Sequence, residues 1–219
     1  MNTVNTRTVL LSALFLTILA TVLAGISAQQ GWALPISALA NFLKGVFLLA
    51  AGIVVLRRAL KHYDHTEILY KEMLCFALFF VFHGAFLLVI ALPHVFILLG
   101  KSAIFYMLQS KATVLGHFSL NVSLAFLLAT SFFFFFPKAA KLAFWLMLLF
   151  SVYMAWLMIL YPPVPQFIST VGITVSNFDP RMQWLIPIIS TLGFVPAALL
   201  FAIQAIKLYR NGISGLVLN

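Results

Sequence analysis

The chain has very few charged side chains and hardly any acidic ones. Only 8% of its 219 residues are charged, and only four are Asp or Glu. A soluble domain carries about 25% charged residues. With 64% hydrophobic residues and a mean hydropathy of +1.13, the composition excludes a soluble globular protein and indicates that lipid covers much of the chain.

Several kinds of chemistry lack the residues they need. Cys75 is the only cysteine, which excludes an internal disulfide and any CxxC site. None of the apolar stretches contains an Asp or Glu, so we find no carboxylate pair for hydrolysis and no acidic proton relay. No histidine pair within these stretches has the spacing of metal ligands, and we predict no metal site.

The formal net charge of +9 does not predict nucleic-acid binding. The Lys and Arg residues lie mainly at the ends of apolar stretches, which is typical of membrane topology rather than of a phosphate-binding groove. The partner that this pattern predicts is the lipid bilayer.

The apolar stretches are continuous, which favours helices over the alternating strands of a membrane barrel. We predict an all-α integral membrane protein, a six-helix transmembrane bundle forming one domain over residues 1–219. The predicted spans are 8–28, 36–56, 73–92, 112–136, 142–161 and 183–206. The first resembles a signal peptide, but its 21 residues exceed the about 7–15 apolar residues of that class.

Two connections carry predictions of their own. Residues 94–111 are amphipathic and flanked by lysines, so we predict a helix lying at the membrane interface. The connection 57–72 holds three of the four acidic residues and is the surface where we expect a protein partner. A seventh span in 94–111 or 163–179 is the alternative topology. Self-association is compatible with such a bundle, but the sequence fixes no stoichiometry.

The distribution of Lys and Arg predicts the orientation. With a cytoplasmic N-terminus, nine of them fall in inner regions and three in outer regions. This bias follows the positive-inside rule, so both termini should be cytoplasmic. We expect the cytoplasmic membrane of a prokaryote.

Polar residues recur at one depth of the predicted bundle. His117 and Asn121 lie one helical turn apart within the fourth span, and polar residues of other spans lie at a similar depth, about 8–14 Å below the outer surface. Polar groups are costly in hydrocarbon, so we expect them to line an outward-facing pocket. The predicted ligand-binding residues are Asn41, Lys44, His117, Asn121, Tyr153, Ser190 and Thr191.

Structural roles are the alternative for each of these side chains. Lys44 has an apolar stem long enough to reach the headgroups. His117 and Asn121 would then bond a neighbouring helix, and Ser and Thr would bond carbonyls of their own helix. Tyr153 also fits an aromatic belt at the membrane interface.

Three functions follow from these residues. The leading hypothesis is a non-enzymatic membrane protein that binds a small or lipidic ligand, anionic or quinone-like, as a sensor, receptor or accessory subunit. The second is an electron-transfer subunit with b-type haem between His83 and His117, which requires both ligands at matching depth. The third is a small-solute transporter.

Overall fold

The structure, a computed structural model, describes residues 33–62, 68–99, 101–168 and 173–210. The first predicted span, 8–28, lies outside these residues. The described elements are α1 (Ala33–His62), α2 (Ile68–Ala91), α3 (His94–Leu98), α4 (Ser102–Phe135), α5 (Pro137–Leu160), β1 (Val164–Ile168), β2 (Ile173–Asn177), α6 (Pro180–Gln183) and α7 (Leu185–Arg210).

Within the described residues, five helical stretches are long and apolar enough to cross a membrane. Each has at least 24 residues, whereas about 20 suffice for a hydrocarbon core of about 30 Å. The chain is therefore an integral membrane protein with a helical bundle. These stretches are Ala38–Lys61, Leu69–Phe96, Ser102–Phe133, Pro137–Leu160 and Pro180–Ile203.

Helix α4 is the centre of the bundle. In its membrane stretch 56% of the residues are buried, against 11–28% in the other four. It packs against α2, α5 and α7. Helix α4 is also the longest described helix, with 34 residues. It measures about 51 Å, which exceeds the thickness of about 30 Å of the hydrocarbon core.

Helices α1 and α2 pack against each other through small residues spaced seven apart. This spacing keeps the small residues on one side of each helix, where backbones can approach closely. A Cβ atom at Gly84 would lie 2.8 Å from the carbonyl oxygen of Gly45 and 2.9 Å from the backbone nitrogen of Leu49. The buried small residues are Ala38, Gly45, Gly52 and Ala59 on α1, and Ala77, Gly84 and Ala91 on α2.

A methionine-rich core joins α4, α5 and α7. Pro137, which cannot continue the ladder of α4, begins α5 after a turn at Phe136, so the two helices run antiparallel. Methionine fills irregular gaps because its side chain is unbranched and flexible. The buried cluster contains Leu124, Ala125, Met147, Met154, Leu157, Met158, Met182 and Ile189.

A β-hairpin connects α5 to α6 at one end of the bundle. Strands β1 and β2 are antiparallel, and Val164 pairs with Asn177. Five-residue strands reach about 17 Å, so neither Val164–Ile168 nor Ile173–Asn177 is long enough to cross a hydrocarbon core of about 30 Å. Arg181 holds the base of the hairpin to α5, since its Nη1 donates to the Tyr161 hydroxyl over 2.7 Å.

The structure differs from the predicted helix boundaries around α4. Residues 102–111, predicted as part of an interfacial helix, belong to the same continuous helix as 112–135. Gln109, Ser110 and Lys111 lower the local hydropathy, but none of them breaks a helix. The last helix runs through Pro196 without ending.

We predict that Gly84→Leu destabilises the bundle. The new side chain would collide with backbone atoms of α1, which cannot move away as a flexible side chain can. Overpacking of this kind costs about 1–3 kcal/mol, which should lower the thermal midpoint of detergent-solubilised protein. The exposed Ala50 provides the matched control, Ala50→Leu, which should melt like the wild type. Equal midpoints for the two variants would contradict the close packing.

Candidate functional site

A row of four polar residues runs along one side of α4: Gln109, Thr113, His117 and Asn121. Residues four apart lie on neighbouring positions of one helix face. The row covers twelve residues, about 18 Å of helix. Sequence reasoning identified its two deeper members. It missed Gln109 and Thr113, although the repeated spacing of four was a signal that could have found them.

The Gln109 end of the row lies under the hairpin. The Thr113 hydroxyl donates to the carbonyl oxygen of Gln109 over 2.8 Å and lies 3.0 Å from the Ser176 hydroxyl. Gln109 is 7% exposed, and its Oε1 has no hydrogen-bond partner among the described residues. This position therefore offers a buried acceptor that a ligand with an N–H or O–H group could satisfy.

His117 lies between α2 and the segment that follows the hairpin. Its ring centroid is 6.5 Å from that of Phe86 and 5.3 Å from that of Phe178, which meets it edge-on with an interplanar angle of 85°. The imidazole is half-buried. Two aromatic rings thus restrict access to it.

Asn121, the last residue of the row, is only 5% exposed. No side-chain hydrogen bond joins it to another described residue. One turn further along α4, Leu124 packs on Gly193 of α7, since a Cβ there would lie 3.0 Å from the Leu124 Cβ. Ser190, one turn before Gly193 on α7, is half-buried.

The other predicted site residues do not converge on this row. Lys44, Tyr153 and Thr191 have exposed side chains, and Asn41 is half-buried on α1. Tyr153 pairs with the exposed Trp156, as expected for an aromatic belt. Similar depth did not bring these residues together, because depth does not specify the direction in which a side chain points around its helix.

Most buried hydroxyl groups are satisfied within their own helices. Ser123 donates to the Leu120 carbonyl, and Thr130, Ser131 and Ser151 each donate to the carbonyl four residues earlier. These residues have the structural role that sequence analysis offered as the alternative. They are not candidates for ligand contacts.

The two histidines predicted as haem ligands share one aromatic neighbour. The Phe86 ring lies 5.8 Å from that of His83 and 6.5 Å from that of His117, measured between centroids. Haem ligation by these two histidines stays a prediction. His83 keeps a buried Nδ1 without a hydrogen-bond partner among the described residues.

One acidic residue lies within a membrane stretch, contrary to the prediction. Helix α2 begins at Ile68, five residues earlier than the predicted span, and so includes Glu72, which is 8% exposed. The described residues contain no group of three or more His, Cys, Asp or Glu suited to a metal ion. Residues 63–67 of the charged connection 57–72 fall outside them.

No protein-family model matches the chain, and neither a curated protein nor a solved structure gives a significant match.

We predict that Phe178→Ala makes His117 more reactive. Removing the ring that meets the imidazole edge-on should open it to water, so carbethoxylation of His117 by diethylpyrocarbonate should become several-fold faster. Peptide mass spectrometry would follow this residue separately from the other histidines. Phe150→Ala, on the exposed side of α5, is the control. If both variants react like the wild type, Phe178 does not shield the imidazole.

Proposed function

We propose that the protein is a non-enzymatic integral membrane protein that binds a small or lipidic ligand along the polar row of α4. Gln109 and Asn121 hydrogen-bond the ligand, and His117 contacts it between the rings of Phe86 and Phe178. The protein acts as a sensor or receptor-like module, or as an accessory subunit of a larger complex.

The unpaired acceptor of Gln109 carries this proposal. A buried polar group without a partner costs about 1–3 kcal/mol, so native proteins rarely retain one without a role. Gln109 keeps such an acceptor although its neighbour Thr113 has two hydrogen-bond partners. A ligand that donates a hydrogen bond to Oε1 would remove this cost.

The position of the row supports binding rather than transport. At its deep end, Asn121 is followed by Leu124 and Ala125 of the apolar core. Beyond them, Thr130 and Ser131 bond their own helix. A transporter needs a polar route to both surfaces, whereas this row provides access from the hairpin end alone.

The proposal includes an orientation of the chain in the membrane. With 8–28 as a sixth span and the positive-inside orientation, the hairpin faces outward and both termini are cytoplasmic. The segment 94–101, including α3, lies at the outer interface. Lys138 and Lys141, both exposed, then lie at the cytoplasmic end of α5. A signal from the outward site would reach a partner through the charged connection 57–72.

We predict that Gln109→Leu and Asn121→Leu each reduce ligand content. Organic extracts of purified wild-type protein should contain a molecule, detected by mass spectrometry, that both variants lose at least tenfold. Stability without ligand should not fall for Gln109→Leu, because this substitution removes a buried acceptor that has no partner among the described residues. Ser123→Ala is the control, since its hydroxyl bonds only its own helix. Identical extracts from all four proteins would contradict the proposed site.

A further inference from the structure

A groove between α4 and α5 lies on another side of the central helix. Its volume is about 560 Å³. Leu115 and Ile159 at its rim are 54% and 68% exposed, so the groove opens at the surface of the bundle. Its lining is apolar apart from one end and includes Lys111, Leu115 and Phe118 of α4 and Ala155, Ile159 and Pro162 of α5.

The polar end of the groove has a single charge. Ser110 and Lys111 lie there, beside Pro162, which follows the end of α5. Lys111 is exposed, and no carboxylate of a described residue forms an ion pair with it. The groove extends from Lys111 to Phe118, about 10 Å along α4. The ammonium group of Lys111 and the hydroxyl of Ser110 thus lie at the hairpin end of the groove, and the rest of the groove is apolar.

We propose that this groove binds a phospholipid, with one acyl chain between α4 and α5 and the phosphate beside Lys111 and Ser110. The charge favours a lipid over a second copy of the chain. An unpaired ammonium group suits a phosphate at the membrane surface, whereas the described surface of this protein offers hardly any carboxylates to pair with it.

This lipid site is separate from the polar row. Two residues correspond to about 200° around a helix, so Lys111 faces away from Gln109. Phe118 likewise follows His117 by one position, and the ring contacts of His117 are with α2 and with Phe178 rather than with α5. Loss of lipid from the groove would therefore leave the predicted ligand contacts of the row in place.

The charge of Lys111 can be tested with three lipids of identical acyl chains: phosphatidylglycerol, phosphatidylcholine and diacylglycerol. Native mass spectrometry of protein in mixed micelles would count the bound molecules. The wild type should retain both phospholipids in preference to diacylglycerol, which has no phosphate. Lys111→Gln should weaken phospholipid retention about fivefold, since one lysine near a lipid surface contributes about 1 kcal/mol. Lys141→Gln, at the opposite end of α5, should change nothing.

A second pair of variants tests the apolar part of the groove. Ala155→Phe should fill it and reduce retention of all three lipids, whereas Ala198→Phe, on an exposed position of α7, should not. Equal retention by Lys111→Gln and Lys141→Gln would overturn the proposal. It would also be overturned if Ala155→Phe converted a dimer into a monomer without changing bound lipid, since a second copy would then cover the groove.

Discussion

The burial of α4, greater than that of any other described membrane stretch, is the constraint on which the rest of the structure depends. Seven of the nine buried polar residues among the described ones lie on this helix: Gln109, Thr113, Ser119, Asn121, Ser123, Thr130 and Ser131. Ser123, Thr130 and Ser131 bond carbonyls of α4 itself, which lowers their cost in hydrocarbon. The side chains of Gln109 and Asn121 have no such bond and would be costly there, so neighbouring helices have to cover them. The polar side chains of α4 and its central position therefore depend on each other.

The residues that pack the helices together differ between the two sides of α4. On the α2 side, small residues bring α1 and α2 into backbone contact, which leaves little freedom to shift. On the α5 and α7 side, methionines fill the space between helices, and such cores adapt more easily. The polar row thus lies between the closely packed α1–α2 pair and the methionine-rich core of α5 and α7. Entry of a ligand would accordingly displace α7 more readily than α2.

Hydropathy predicted five of the helices well because a membrane-spanning helix has to be apolar along most of its length. It failed within the stretch 94–111, predicted as a helix at the interface, because residues 102–111 continue into α4 and none of them ends a helix. It also did not show that the side chains of Lys44 and Tyr153 are exposed. Depth follows from counting residues along one helix, whereas direction depends on which neighbours pack against it. The seven-residue spacing of Gly45 and Gly52 was readable in the sequence, but its partner Gly84 became evident only in the packed pair.

The unpaired Gln109 acceptor limits which ligands suit the row. Its Oε1 accepts but does not donate, and Thr113 already has its hydrogen bonds, so the proposed ligand needs a donor group to satisfy this atom. An oxidised quinone or a carboxylate has only acceptor oxygens. Either could accept from the amide nitrogen of Gln109 or Asn121, but would leave Oε1 unpaired. A hydroxyl or ammonium group beside Gln109 would remove that cost. An alcohol or amine therefore suits the proposed site better than the anionic or quinone-like ligands expected from the sequence.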